Sequence, residues 1–318
     1  MTLKTLLLPL LLLLGTATLT SGQNCFHPFS EVGGQCLYLE YETLMSWQEA
    51  RDYCRSMAGD GVEGDLASFP RCGDFTALAR HLAFNANVNS SFWVGAHTLF
   101  TPNMWQWLSG ESLQTGVPYW AYSEQYDNNE DCASVHGGYY YRLVPSLCDQ
   151  RKGVVCSMPL INPGFQTHHD PEPRPGEDCP HEGIVIGKHC YKFESHAESW
   201  SSAEAKCREH HDKYSGMLYY PSDCEEFTNM AHHLEADESV NSYWVGAEDV
   251  SGQEEWTWVD GQLVPGGPPY WASGQPSHEH NNEPWEHCAV MDSEMRYYMR
   301  DVHCSDRHPY ICKLTKNE

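Results

Sequence analysis

The chain has 318 residues, and 44 acidic side chains against 19 basic ones give a formal net charge of −25 at pH 7. Such a surface repels phosphate backbones and anionic bilayers, which argues against nucleic acid as a partner and against membrane insertion. Fourteen cysteines without a single Cys-x-x-Cys pair favour a disulfide framework over thiolate metal sites or redox catalysis.

Lys4 precedes an apolar run from Leu6 to Leu14, and small and hydroxylated residues follow as far as Ser21-Gly22. Residues 1–22 therefore read as a secretory signal peptide, and the mature protein is expected to be soluble and extracellular. No later stretch reaches the roughly 18 uninterrupted apolar residues that a membrane span needs.

Leu37-Tyr38-Leu39 reads as a short strand. A helix is expected next, because Trp47, Ala50, Tyr53, Cys54 and Met57 share one face, with Ser46 and Glu49 spaced as a capping box. Phe75, Leu78, Ala79 and Leu82 mark a second helix. Asn89-Ser90-Ser91 is the one Asn-x-Ser/Thr sequon and makes Asn89 a glycan acceptor. From Trp93 onward, short aromatic-rich segments alternate with Gly, Pro and Asn, as in a loop-rich antiparallel sheet. The fold class expected is α+β.

The chain then repeats itself. Cys25, Cys36, Cys54, Cys72, Cys132, Cys148 and Cys156 answer to Cys179, Cys190, Cys207, Cys224, Cys288, Cys304 and Cys312 at offsets of 152 to 156 residues. Trp47, Trp93-Val94-Gly95-Ala96, Trp105, Trp107 and Tyr119-Trp120 recur as Trp200, Trp244-Val245-Gly246-Ala247, Trp256, Trp258 and Tyr270-Trp271. The strand recurs as Tyr191-Lys192-Phe193, and the second helix as Phe227, Met230, Ala231 and Leu234. A period of a whole domain means duplication, not a solenoid. The expected organisation is a domain over 23–157, a Pro-rich linker over 158–178 and a second domain over 179–318. The repeated Trp residues are expected in the core, and the runs Tyr139-Tyr140-Tyr141 and Tyr297-Tyr298 at the surface.

Two early helices, a Trp-Val-Gly-Ala strand, a Trp-x-Trp pair and a closing trio of cysteines together resemble the C-type lectin domain, twice over. The resemblance implies two such domains, each with two helices and loop-rich antiparallel sheets. It also implies bridges Cys54–Cys156, Cys132–Cys148, Cys207–Cys312 and Cys288–Cys304, with Cys25–Cys36 and Cys179–Cys190 as in the family's long form. Cys72 and Cys224 are left over. Three outcomes stay open for them: a bridge within the chain, a disulfide-linked oligomer, or buried free thiols.

Sugar-binding members of that family hold a calcium ion with carboxylate and amide oxygens, which also hydrogen-bond the sugar. Calcium wants six to eight hard oxygen ligands. In the second copy the resemblance assigns ligand roles to Gln275, Ser277, Glu286 and Asp301, with Arg300 where the family has a neutral Asn. A guanidinium has no lone pair to offer and repels the cation. In the first copy the counterparts are Gln125, Asp127, Glu130 and Asp131, but Leu143-Val144-Pro145 replaces the third motif and removes two oxygen ligands. Calcium, held by Gln275, Glu286 and Asp301 or by Glu130, is the one cofactor implied.

The resemblance points to a secreted carbohydrate-binding lectin of innate immunity whose partners are glycans or microbial surface polysaccharides. Its damaged motifs point instead to a calcium-independent relative that binds a protein ligand. Nothing in the sequence points to an enzyme: there is no HExxH, no GxSxG and no phosphate-cradling Gly loop.

Overall fold

The computed structural model describes residues 24–57, 63–86, 90–99, 104–121, 130–160, 179–180, 183–209, 213–237, 240–251, 255–277 and 287–317. The leader expected over 1–22, most of the expected linker and the Asn89 acceptor lie outside these residues. In the first copy β1 (Ser30–Val32), β2 (Gln35–Met45), α1 (Trp47–Ser56), β3 (Asp65–Leu66), α2 (Cys72–Asn85), β4 (Ser91–His97), β5 (Gln106–Trp107), β6 (Cys132–His136), β7 (Arg142–Ser146) and β8 (Lys152–Met158) follow one another. The second copy repeats them as β9 (Ile184–Ile186), β10 (His189–Glu198), α3 (Trp200–Cys207), β11 (Tyr214–Leu218), α4 (Cys224–Ala236), β12 (Tyr243–Glu248), β13 (Thr257–Trp258), β14 (Cys288–Asp292), β15 (Tyr298–Val302) and β16 (His308–Lys316).

Each copy builds one sheet, in the order β1-β2-β8-β4-β6-β7 and, read the same way, β9-β10-β16-β12-β14-β15. The pairing is antiparallel except where β4 meets β8 and β12 meets β16. The strand expected over 37–39 is much longer, since β2 continues through the exposed stretch 41–44, where neither face is buried enough to leave an alternating signal. Gly33 and Gly34, at φ +58° and +78°, make the two-residue turn between β1 and β2 that a side chain would strain.

The local signals explain the helices. Ser46 Oγ accepts from the Glu49 amide at 3.4 Å and Glu49 Oε2 accepts from the Ser46 amide at 2.9 Å, closing the capping box on α1. The stripes Phe75, Leu78, Ala79, Leu82 and Phe227, Met230, Ala231, Leu234 are buried.

The repeated Trp residues are core, and their indoles also hold backbones together. Trp47 Nε1 donates to Val94 O at 2.9 Å and Trp93 Nε1 to Met45 O at 2.8 Å; Trp200 and Trp244 repeat both bonds to Val245 O and Glu198 O. A Cβ on Gly95 or Gly246 would meet Leu66 O at 2.8 Å or Leu218 O at 2.9 Å. The glycine of Trp-Val-Gly-Ala is thus required by backbone approach.

Three bridges brace the first copy, Cys25–Cys36, Cys54–Cys156 and Cys132–Cys148, and three the second, Cys179–Cys190, Cys207–Cys312 and Cys288–Cys304. A seventh joins Cys72 at the start of α2 to Cys224 at the start of α4, with Cα atoms 5.9 Å apart. It takes up both thiols that the sequence left open, and no free cysteine remains.

Equivalent faces of the two copies meet around this bridge. Tyr298 Oη, at the start of β15, donates to Trp120 O at 2.7 Å, while Arg142, at the start of β7, donates to Trp271 O and to Pro269 O at 3.3 Å. The Arg142 guanidinium lies 4.0 Å from the Tyr298 ring centroid. Val117 of the first copy packs into the core of the second, and His232 Nε2 lies 2.9 Å from Val117 O. This corrects the expected surface role of the tyrosine runs. Tyr141, Tyr297 and Tyr298 are buried, and only Tyr140 is substantially exposed.

Candidate functional site

In each copy a loop runs out along the last hairpin strand. Met299 N donates to Tyr270 O at 2.8 Å and Ala272 N to Met299 O at 2.9 Å; Leu143, Tyr119 and Ala121 repeat this in the first copy at 2.8 and 3.0 Å. These short parallel bridges deliver the loop residues beyond 272 to the end of β15, where Asp301 sits.

In the second copy Gln275 N donates back to Ala272 O at 3.0 Å, the Gln275–Pro276 peptide is cis, and Ser277 turns toward Asp301. The Ser277 amide donates to both carboxylate oxygens at 2.9 and 3.0 Å, and its hydroxyl lies 3.2 Å from Oδ2. Asp301 is 2% exposed. Two residues before Ser277, Gln275 Oε1 is buried with no hydrogen-bond partner among the described residues. Leaving a buried acceptor unpaired costs about 1–3 kcal/mol. The structure therefore brings together two of the residues expected to act, Ser277 and Asp301, with Gln275 two residues before Ser277 on the same loop. Glu286 lies outside the described residues.

Arg300 faces elsewhere. Its Nε donates to Asp292 Oδ2 at 2.5 Å, and the Asp292 side chain is 2% exposed. Neighbouring residues of a strand point to opposite faces, so the guanidinium that was expected to repel a cation is neutralised on the side away from Ser277.

The first copy keeps less. Gln125 and Asp127 lie outside the described residues. Asp131 accepts from the Thr98 hydroxyl at 2.5 Å. Glu130 acts on Lys152, whose ammonium is held below its usual pKa by burial while the carboxylate pulls the other way. Leu143 and Pro145 are buried in β7 and bring no side-chain oxygen. The second copy reverses the Thr98–Asp131 pair, placing the acid on the other strand as Asp249, 3.7 Å from His287 Nδ1. Sequence reading missed this exchange, although Thr98 and Asp249 align directly after β4 and β12.

Calcium needs hard oxygens. Gln275 Oε1, the Asp301 carboxylate and the Ser277 hydroxyl supply them in the second copy, and the unpartnered amide oxygen fits that use. In the first copy Asp131 accepts from Thr98, and Leu143 and Pro145 bring no side-chain oxygen, so the described part of the donor set is poorer. Among the described residues, no three His, Cys, Asp or Glu side chains gather into a metal-binding group. No described helix is long and apolar enough to cross a membrane.

A family model of the lectin C-type domain matches residues 43–158 and again residues 196–314. Lymphocyte antigen 75 of Homo sapiens is 22% identical over 296 residues, covering 89% of this chain but 15% of that protein. C-type mannose receptor 2 of Mus musculus is 24% identical over 289 residues, 87% of this chain and 17% of that protein. The chain thus spans only a small part of the length of these two relatives. Among solved structures, human lithostathine shares 26% identity at a TM-score of 0.37, covering 44% of this chain and 100% of its own.

Proposed function

Because the chain belongs to the C-type lectin domain family, carrying that domain twice, we propose that it is a non-enzymatic carbohydrate-binding protein whose second domain holds the working site. The observation that carries this reading is the cluster of Gln275, Ser277 and Asp301, with a buried amide oxygen left unpaired. In this reading Gln275, Ser277, Asp301 and, from the sequence, Glu286 would hold calcium, which would supply a Lewis-acidic contact for sugar hydroxyls. Asp301 orients Ser277, and the loop bridged to β15 sets where both stand. The first domain serves as scaffold, its Gln125, Asp127, Glu130 and Asp131 set being the weaker one.

We place the protein outside the cell, as a recognition lectin for microbial or host-surface glycans. Seven disulfides support an oxidising compartment, as do residues 1–22 read as a leader. A second reading, calcium-independent binding of a protein ligand, draws on Asp301 already accepting from Ser277 and on the loss of oxygens in β7.

The test is binding of the full chain to arrayed glycans and to microbial cells, with calcium and with chelator. Calcium-dependent signal that Asp301→Asn abolishes is the expected result. Glycan binding that survives chelation discards the calcium mechanism, and no glycan signal in either state discards the lectin reading.

A further inference from the structure

Arg142 belongs to the first domain, yet the hydrogen bonds of its guanidinium reach the second. Nη2 donates to Trp271 O and Pro269 O, while Nε and Nη1 are buried without partners. The residue is 0% exposed and sits over the ring of Tyr298. No carboxylate lies within ion-pairing distance of it among the described residues. A buried, unneutralised guanidinium is costly to maintain, and two domains that only needed tethering would be served by the Cys72–Cys224 bridge.

What the guanidinium holds is the root of the second-domain site. Trp271 is pinned between Tyr270 and Ala272, whose backbones bridge to Met299 in β15. Gln275 hangs on Ala272 O, and Ser277 on Asp301, two residues beyond Met299. Tyr298, beneath the guanidinium, is the first residue of the same strand. One side chain of the first domain therefore grips both elements whose tips carry Gln275, Ser277 and Asp301.

We propose that Arg142 is a positioning residue which the first domain lends to the ligand loop of the second, so that this site is complete only in the tandem. The consequence for ligand binding rests on the lectin reading above; the consequence for the loop does not.

The experiment uses the oxidised full chain and compares wild type with Arg142→Met by amide hydrogen exchange. Loss of a charge-assisted hydrogen bond should speed exchange at Ala272, Gln275 and Ser277 roughly tenfold or more while the β12 amides of Trp244 and Val245 stay unchanged. Arg142→Lys, which keeps the cation but not the fork, should restore part of the protection and stands in should the Met variant fail to fold. Calcium binding by the same proteins, read by calorimetry, should weaken in parallel with the lost protection. Unchanged exchange over 270–277, or faster exchange spread equally through β12, would overturn the proposal. A wild type that binds neither calcium nor glycan sinks the lectin reading alone, because the exchange data still decide the role of Arg142.

Discussion

Lys313→Met tests the charge network buried in the second domain. Lys313 and Glu226 are 7% and 6% exposed. Lys313 Nζ donates to Glu226 Oε2 at 2.8 Å and to Ser222 Oγ at 2.8 Å, and Tyr191 Oη donates to Glu226 Oε1 at 2.6 Å. Burial works to raise the Glu226 pKa, but the bonds from Lys313, Tyr191 and the Ser222 amide prevail and hold it below the usual carboxylate value. A depressed carboxyl contributes stability that is present above its unfolded pKa of about 4.3 and is lost as pH falls through the folded one. Without Lys313 the sign reverses: burial dominates, Glu226 is pushed up, and the neutral-pH state carries an unpaired charge. The cost should be about 3–5 kcal/mol at pH 7, or roughly 10 °C in the second domain's unfolding midpoint. Acidification should shrink that gap, because protonating Glu226 relieves the variant and costs the wild type. His189 adds to this, since its Nε2 lies 3.4 Å from Glu226 Oε2 and Lys313 is one of the charges holding its pKa down, after burial. Urea unfolding of both proteins from pH 4.5 to 8 measures the gap, and Lys313→Met with Glu226→Gln should recover part of it. A penalty under about 1 kcal/mol at pH 7, or one that stays constant with pH, refutes the reasoning.

Ser46→Ala opens the capping box on α1 and should destabilise the first domain by about 1 kcal/mol in urea, leaving the second domain's transition in place. Gly246→Ala drives a Cβ against Leu218 O and Val259, and should lower second-domain stability by about 1–3 kcal/mol in the same assay. Replacing Cys72 and Cys224 together by Ser removes a bridge between residues 152 apart, worth about 5 kcal/mol in the chain-entropy account. Calorimetry should then show lower midpoints; an unchanged thermogram would mean that the bridge adds nothing to what the noncovalent interface already supplies.

The scaffold was legible because its signals are local or repeated. Ser46 and Glu49 announce α1 within four residues, and the Phe75 and Phe227 stripes need one period. Other features depend on what lies across a face. Arg300 was expected to oppose a cation because its place in a motif was counted, whereas alternation along β15 sends it to Asp292 and its neighbour Asp301 to Ser277. Tyr141, Tyr297 and Tyr298 look like exposed aromatic runs, yet Tyr141 and Tyr297 fold into the core clusters and Tyr298 is capped by Arg142 of the first copy. Composition cannot distinguish a binding patch from an interface, since both need large, partly polar rings. Gln275 and Ser277 were placed by family pattern, but the unpaired state of Gln275 Oε1 is visible only in three dimensions.

The interface also explains why the copies diverged where they did. Arg142 and Tyr298 hold the same position, each opening the strand that pairs with β6 or β14. In a face shared by two copies, only residues near the relating axis meet their own counterparts, as Cys72 meets Cys224 and Arg142 meets Tyr298. Two arginines would repel in a buried setting, and two tyrosines would offer no cation for the ring face. One of each gives a cation over a ring, with the guanidinium donating to the Trp271 carbonyl and the phenol to the Trp120 carbonyl. Unlike residues at like positions therefore favour first domain against second over either against itself. The same substitution rewards pairing within one chain and penalises mispairing between chains. Duplication supplied a symmetric face, and unlike residues at equivalent positions, Arg142 against Tyr298 among them, make the pairing one-sided.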